Sequence, residues 1–123
     1  MPVVTLRTLK LPATIQVESL LAELAGAVGP CLGVDPGRVF AVHQALAAFV
    51  EGNVPASWHQ VGTHPPLVDI AAYAGRTGQQ VELALLAAAA VVTSALGLDP
   101  GNVFVTYTEI GRGRVFTGGS VRR

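Results

Sequence analysis

The sequence predicts an α/β (α+β) fold in which a tandem βαβ repeat forms a four-stranded sheet with two helices on one face. Three observations lead to this prediction. The stretches LGVDPGRVF and LGLDPGNVF begin at residues 32 and 96, so the chain repeats itself at an interval of 64 residues. In each copy a strand-like segment, a helical segment and a second strand-like segment follow one another. Two strands joined through a helix normally lie parallel, with a right-handed crossover.

Length and composition predict a single domain over residues 1–123. We divide it into a first βαβ unit (2–46), a linker (47–65) and a second βαβ unit with a C-terminal hairpin (66–123). Half of the residues are apolar and only 13% are charged, which indicates surface buried between subunits. The formal net charge is zero, so the chain lacks the basic surplus typical of nucleic-acid binding.

The first unit opens with a predicted strand over 2–9, where β-branched residues alternate with others. A helix follows within 13–33, and Gly33 suits the left-handed position past its end. Its apolar residues recur at helical spacing: Val17, Leu20, Leu21, Leu24, Val28, Cys31 and Leu32. The sequence DPG at 35–37 predicts a turn in which the glycine takes a positive φ. The second strand is predicted over 38–47.

The second unit repeats this order. It has a strand over 67–73, a helix from about Gly78 to Leu96, a DPG turn at 99–101 and a strand over 102–108. The segment between the units carries turn residues and the single tryptophan, Trp58. It predicts a connecting loop, with room for a short edge strand near Phe49.

The N-terminus lacks a charged segment before an apolar stretch, so it does not resemble a secretory signal. The apolar run over 81–98 is mostly alanine and is interrupted by polar residues, which favours a buried helix over a membrane span. His59 and His64 stand in a loop without a convergent set of ligands, so we expect no metal and no cofactor. We expect a cytoplasmic protein with a small-molecule substrate and no nucleic-acid or membrane partner.

The chain resembles the tautomerase superfamily. The resemblance rests on the Met-Pro strand, the P-G-x-V turns and the glycine-rich ending. AGRTGQQ (74–80) is similar to the segment that opens a helix in 4-oxalocrotonate tautomerase-like proteins, and YTEIGRGRVFTGG (107–119) is similar to their ending. The fused two-unit layout resembles the macrophage migration inhibitory factor (MIF)-like and cis-3-chloroacrylic acid dehalogenase-like branches. The resemblance implies a tautomerase/MIF-like fold and a homotrimer with its sheets facing inward.

The resemblance also implies a keto–enol tautomerase (an isomerase) in which Pro2 is the catalytic residue. Removal of Met1 leaves a secondary amine, and burial or a nearby cation lowers its pKa towards neutrality. The neutral amine can act as a base, and its protonated form can return the proton as an acid. The counterpart of Pro2 in the second unit is Pro66, whose nitrogen is a tertiary amide without basicity. We therefore expect one working site per protomer.

Other substrate-binding residues follow from the resemblance. Arg76, at the start of the second helix, is expected to bind the substrate carboxylate with its guanidinium. The positions of further polar groups in the relatives hold Phe40, Phe104 and Thr106 here, so the site is expected to be apolar and poor in cations. This favours a small monocarboxylate enol or 2-oxo acid, such as phenylenolpyruvate. Phe116 is expected to form an apolar wall over Pro2, and Tyr73 to lie at the pocket mouth.

Two other residues receive structural roles. Tyr107 has the opposite strand parity to Phe104, so it is expected to face the helices, and His43 is expected to be a structural strand residue.

Two alternative functions stay open. One is a MIF-like interaction protein without useful catalysis. The other is a hydratase, dehalogenase or decarboxylase of the same superfamily, for which Glu109 is the acid to consider. Ala74 stands where the decarboxylase and dehalogenase branches have an arginine, which disfavours both activities.

Overall fold

The structure is a computed structural model that describes residues 1–52, 54–55 and 66–123, with only the backbone at 54 and 55. The predicted loop residues Trp58, His59 and His64 lie outside the described residues. In chain order the elements are β1 (Val3–Thr8), α1 (Val17–Cys31), a 3-10 turn (Pro36–Arg38), β2 (Phe40–Ala45), β3 (Val50–Glu51), β4 (Val54–Pro55), β5 (Leu67–Tyr73), α2 (Gly78–Leu96), β6 (Phe104–Ile110), β7 (Val115–Thr117) and β8 (Ser120–Arg122).

The two repeats contribute two strands each to one four-stranded sheet in the order β2-β1-β5-β6. β1 pairs parallel with β2, and β5 pairs parallel with β6, as expected for strands joined through a helix. The two units meet at the centre, where β1 and β5 pair antiparallel. α1 and α2 pack against each other on one face of this sheet. The predicted fold class is therefore confirmed.

Side chains alternate between the two faces of the sheet. Val4, Leu6 and Ile70 have no exposed surface and form one core with the helices. Burying a side chain of this size stabilises the fold by about 1.5–3 kcal/mol. The neighbouring strand positions point to the opposite face, which no helix covers in the part of the chain described. Phe40 and Phe104 lie there, and they are 57% and 59% exposed.

α1 buries a stripe of apolar residues that repeats every four positions: Leu20, Leu24, Val28 and Leu32. The helix ends at Cys31, and Gly33 adopts a φ of +68°, as the sequence predicts. The chain then folds back on the helix, because the Gly29 carbonyl accepts a hydrogen bond from the Val34 amide at 2.9 Å. This contact fixes the turn that leads into β2.

α2 begins with a capping box. The Thr77 hydroxyl accepts a hydrogen bond from the Gln80 amide at 3.2 Å, and the Gln80 side chain accepts one from the Thr77 amide at 2.9 Å. Such an N-cap stabilises a helix by about 1 kcal/mol. The helix ends at Leu96, and its C-cap residue Gly97 has a φ of +65°. By length and composition alone α2 could span a membrane. In the structure it packs against α1 and β6.

The two DPG segments differ from their prediction. In both, the aspartate side chain accepts a hydrogen bond from the glycine amide, at 2.8 Å for Asp35 with Gly37 and at 2.9 Å for Asp99 with Gly101. This aspartate cap holds a right-handed turn, so neither glycine adopts the positive φ that we predicted. The first segment forms the 3-10 turn, and Arg38 therefore belongs to this turn rather than to the second strand.

Two small hairpins stand beside the main sheet. The predicted edge strand near Phe49 is instead a separate hairpin, in which β3 pairs antiparallel with β4. The glycine-rich ending forms a hairpin as well, since β7 pairs antiparallel with β8. Its two-residue turn consists of Gly118 and Gly119, with φ of +61° and +86°. Positive φ at both positions is typical of the type I′ turn that suits the twist of a hairpin.

Two glycines of α1 test how tightly its end packs. A Cβ at Gly29 would lie 2.8 Å from the Val34 carbonyl oxygen, whereas a Cβ at Gly26 would meet nothing within 4 Å. We expect Gly29→Ala to destabilise the protein by about 1–3 kcal/mol through overpacking. We expect Gly26→Ala in the same helix to stabilise it by about 0.5–1 kcal/mol through helix propensity. Urea unfolding of both variants checks the pair, and equal shifts would contradict the packing at Gly29.

Candidate active site

The start of β1 lies beside the ends of β5 and β6. Because β1 and β5 run antiparallel, Val3 pairs with Ala71, and the residues that precede Val3 approach the end of β5. Tyr73, the last residue of β5, pairs with Ile110, the last residue of β6. The Ala74 amide then donates a hydrogen bond to the Ile110 carbonyl at 3.0 Å. This end of the sheet thus brings the Pro2 region together with two strand ends.

A cavity of about 770 Å³ opens at this end of the sheet. Its lining combines the chain start, the turn after α1, the ends of β5 and β6, and the C-terminal hairpin. The lining residues are Met1, Val34, Arg38, Tyr73, Ala74, Gly75, Ile110, Arg112, Thr117, Arg122 and Arg123.

The cavity is rich in cations. Arg38 comes from the 3-10 turn, Arg112 from the segment after β6, and Arg122 and Arg123 from the end of the chain. These four are half of the eight lysines and arginines in the sequence. Among the described residues, no aspartate or glutamate lines the cavity. This lining differs from the expected site poor in cations, and the cavity is suited to an anion.

Pro2 follows Met1 in the chain and is not itself among the residues that line the cavity. Its side chain is less than 2% exposed, and its carbonyl accepts a hydrogen bond from the Phe40 amide at 2.9 Å. Met1, which precedes it, is 58% exposed and lines the cavity. The pKa of the Met1 α-amino group is lowered from its usual value near 8, first by burial and then by the positive charges of Arg76, Arg38 and Arg122. The chain start therefore holds an amine that loses its proton readily.

At the other end of the sheet, the backbone around Pro66 resembles the backbone around Pro2, but the charged groups differ. The Pro66 carbonyl accepts a hydrogen bond from the Phe104 amide at 3.0 Å, as Pro2 does from Phe40. A shift of 64 residues places Asn102 in the position of Arg38 and Pro12 in the position of Arg76. The duplicated position thus lacks both the free amine and these two cations.

Arg76 is half-buried at the start of α2 and is not among the residues that line the cavity. Its Nη1 donates a hydrogen bond to the Tyr73 carbonyl at 3.0 Å, and its Nε donates one to the Leu32 carbonyl at 3.4 Å. These contacts tie the end of β5 to the end of α1. The charge of Arg76 still lowers the pKa of the Met1 amine. Binding of a substrate carboxylate by Arg76 stays a prediction.

The predicted aromatic residues divide into two groups. Tyr73 lines the cavity, and its place at the mouth of a substrate pocket stays a prediction. Phe40, Phe104 and Phe116 do not line it, and Phe116 is 71% exposed on the hairpin, where Thr117 reaches the cavity instead. Within one protomer Phe104 lies at the Pro66 end of the sheet. Roles for these three residues in substrate binding stay predictions.

Thr106 forms a side-chain hydrogen bond on the open face of the sheet. Its hydroxyl donates a hydrogen bond to Asp69 Oδ1 at 2.7 Å, and the Thr108 hydroxyl donates to the same oxygen at 2.9 Å. Thr106 is not among the residues that line the cavity. The predicted contact of Thr106 with substrate therefore requires a surface other than the wall of this cavity.

Tyr107 and His43 have the structural surroundings that the sequence predicts. Tyr107 packs against the core on the helix side, and burial raises the pKa of its hydroxyl. Among the described residues, that hydroxyl has no hydrogen-bond partner. His43 Nε2 lies 2.9 Å from the Thr8 hydroxyl, and burial lowers the pKa of the imidazole. Neither residue lines the cavity.

Sequence reasoning missed the cavity arginines. Arg38 was assigned to the second strand, and Arg112, Arg122 and Arg123 were placed in the second unit with its C-terminal hairpin. The available clue was their spacing along the chain, because three of them stand within the last twelve residues, next to the glycine-rich turn.

No protein-family model and no curated protein matches the chain. Solved structures do match over nearly its whole length. A wild-type symmetric trimer of a fused 4-OT is 23% identical, covers 98% of this chain and 94% of its own, and superposes with a TM-score of 0.80. Pt0534 inactivated by 2-oxo-3-pentynoate is 17% identical, with the same two coverages and a TM-score of 0.82.

MIF from Toxoplasma gondii is 17% identical, covers 98% of this chain and 97% of its own, and has a TM-score of 0.70. Because all three identities are low, the similarity concerns the fold. The chain has the fold of fused 4-OT and MIF, which confirms the predicted tautomerase/MIF-like architecture.

Proposed function

We propose that this chain, which has the fold of fused 4-OT and MIF, is a keto–enol tautomerase that acts on a small enol or 2-oxo acid. Pro2 is its general base and acid once Met1 has been removed. The observation that carries the proposal is the amine at the cavity, whose pKa is lowered by burial and by three arginines. Removal of Met1 moves the free amine by one residue, onto the nitrogen of Pro2, the neighbour of the cavity-lining Met1.

The proposed reaction is a proton transfer between two atoms of one substrate. The neutral Pro2 amine removes the proton from the enol hydroxyl and becomes protonated. The protonated amine then returns a proton to the carbon at the other end of the enol, which leaves the ketone and the neutral amine. General acid–base catalysis of this kind contributes about 10²–10⁴-fold in rate. The cavity arginines bind the substrate carboxylate and stabilise the negative charge that develops on the oxygen.

The proposal predicts a specific pH profile. Because the base must be neutral, we expect kcat/KM for ketonisation of phenylenolpyruvate by the Met1-free chain to rise with pH, with a midpoint below the usual α-amino value near 8. Arg38→Gln removes a cation that lowers the pKa of the amine, so the midpoint of the rise should move to higher pH. Initial rates from pH 5 to 9 check both expectations. A profile that is flat in the wild-type chain would contradict the assignment of the base.

We also propose that the chain forms a homotrimer. The helices cover one face of the sheet, and the other exposes large apolar side chains such as Phe40, Leu67 and Phe104. The fused 4-OT structure of the same fold is a trimer. We expect light scattering on a size-exclusion peak to give three times the 12.7 kDa chain mass at micromolar concentration. A monomer would contradict the proposal. We expect Phe104→Asp to weaken the assembly, because it places a charge on the face that the trimer would bury.

The alternative activities have less support in this site. Glu109, the acid required for a hydratase or dehalogenase, is exposed on β6 and does not line the cavity. A non-catalytic interaction protein would have no need of an amine with a lowered pKa beside a cavity rich in arginine. That function would become the better proposal if the Met1-free chain showed no ketonisation above the uncatalysed rate.

A further inference from the structure

The open face of the sheet carries one charge of each sign. Arg7 stands on β1 and Asp69 on β5, and in the described part of the chain they are the only charged residues at the strand positions of this face. Both residues are already partly buried in one copy. A charge moved from water into an apolar interface destabilises that interface unless it is paired there. Burial of this face between copies therefore requires a partner for each charge.

The two charges are not paired with each other within one copy. The register of β1 and β5 makes Arg7 and Asp69 diagonal neighbours, about 7–8 Å apart, which a long side chain can span. Arg7 Nε instead donates a hydrogen bond to Gln44 Oε1 on β2 at 2.9 Å. Asp69 Oδ1 accepts from the Thr106 and Thr108 hydroxyls on β6, at 2.7 and 2.9 Å. The cation is thus directed to the β2 side of the sheet and the acid to the β6 side.

These contacts leave hydrogen-bonding capacity on both sides. Among the described residues, Nη1 and Nη2 of Arg7 have no acceptor, and Oδ2 of Asp69 has no donor. A guanidinium and a carboxylate with such free atoms can form a charge-assisted pair. β2 and β6 are the two edge strands of the sheet, so the complementary groups lie towards opposite edges of the same copy.

The two groups also lie near the same end of the sheet. Arg7 and Asp69 differ by two residues in register, which is about 7 Å along the strands. Rotation about an axis parallel to the strands keeps each group at its own height. When the β2 edge of one copy approaches the β6 edge of the next, the guanidinium therefore meets the carboxylate. A head-to-tail contact of this kind, repeated around the axis, forms a closed ring.

We propose that Arg7 of one copy and Asp69 of the next form an ion pair at each interface of the trimer, and that this pair selects which edges meet. The inference rests on the proposed homotrimer and is independent of the proposed catalytic function. Apolar side chains of the open face, such as Phe40 and Phe104, supply contact area. The ion pair supplies the orientation, because contact between two β2 edges would bring two cations together.

Charge reversal tests this pair. We expect Arg7→Asp and Asp69→Arg each to raise the concentration of half-assembly, measured by analytical ultracentrifugation, by more than about tenfold. The double variant Arg7→Asp/Asp69→Arg restores opposite charges at every interface and should assemble nearly as the wild type does. Glu82→Arg reverses an exposed charge on α2, on the other side of the sheet, and should leave assembly unchanged. Single variants that assemble like the wild type, or a double variant no better than the singles, would overturn the inference and leave the trimer standing.

Mixing the two single variants tests whether the pair lies between copies. A ring of either variant alone joins like charges at every interface. A ring of three that contains both variants joins opposite charges at two interfaces and like charges at only one. We expect an equimolar mixture to assemble more tightly than either variant alone. A mixture that assembles no better, beside a double variant that does, would place the pair within one copy and overturn the inference.

Discussion

A chain that retains Met1 should lose about 10²–10⁴-fold of its kcat/KM for ketonisation, with the fold intact. Retention of Met1 turns the Pro2 nitrogen into an amide, which cannot accept a proton at neutral pH. Met1 is also one of the residues that line the cavity. The measurement compares initial rates of chains prepared with and without Met1, together with their circular dichroism spectra. Mass spectrometry establishes which form is present in each preparation.

Pro2→Ala provides the control for this experiment. It leaves a primary amine in the same place after Met1 removal, so we expect it to retain part of the rate. A Met1-retaining chain that is as active as the processed chain would show that Pro2 is not the base. In that case the interaction function would become the better proposal.

Arg76→Ala should reduce kcat/KM by about ten- to hundredfold, if Arg76 helps to bind the carboxylate and to lower the pKa of the amine. The structure adds a second expectation. Because the guanidinium donates to the Tyr73 and Leu32 carbonyls, we expect a loss of about 1 kcal/mol in the free energy of unfolding as well.

Arg114→Ala is the matched control for Arg76→Ala. Arg114 is exposed on the segment before β7 and does not line the cavity. We expect its removal to change neither kinetics nor stability by more than a small amount. If Arg76→Ala lowers the melting temperature but leaves the kinetics unchanged, Arg76 is only structural.

The repeat made the fold predictable from the sequence. Each helix has its apolar residues at helical spacing and each main strand alternates, so the local pattern and the tertiary packing agree. The positive φ at Gly33 followed from its place past a helix end. The positive φ predicted for the DPG glycines was wrong, because the aspartate side chain accepts a hydrogen bond from the amide of the glycine two residues later and so holds a right-handed turn.

The candidate site was only partly predictable. Tyr73 and the Pro2 region come together because the order of the strands places both at one end of the sheet. The cations come from a turn and from the hairpin, where no periodicity indicates the direction of a side chain. Phe40 and Phe104 both lie on the open face of the sheet. Matching their positions to those of polar residues in the relatives did not indicate this orientation.

Covalent labelling tests the central claim most directly, namely that the amine of Pro2 is the reactive group of the cavity. The related structure of Pt0534 was inactivated by 2-oxo-3-pentynoate, an acetylenic 2-oxo acid whose triple bond accepts a neutral amine. We expect the Met1-free chain to gain one adduct per chain, located by peptide mass spectrometry on the Pro2 nitrogen, at a rate that rises with pH with a midpoint below 8. A chain that stays unmodified, or an adduct on any other residue, would contradict the account.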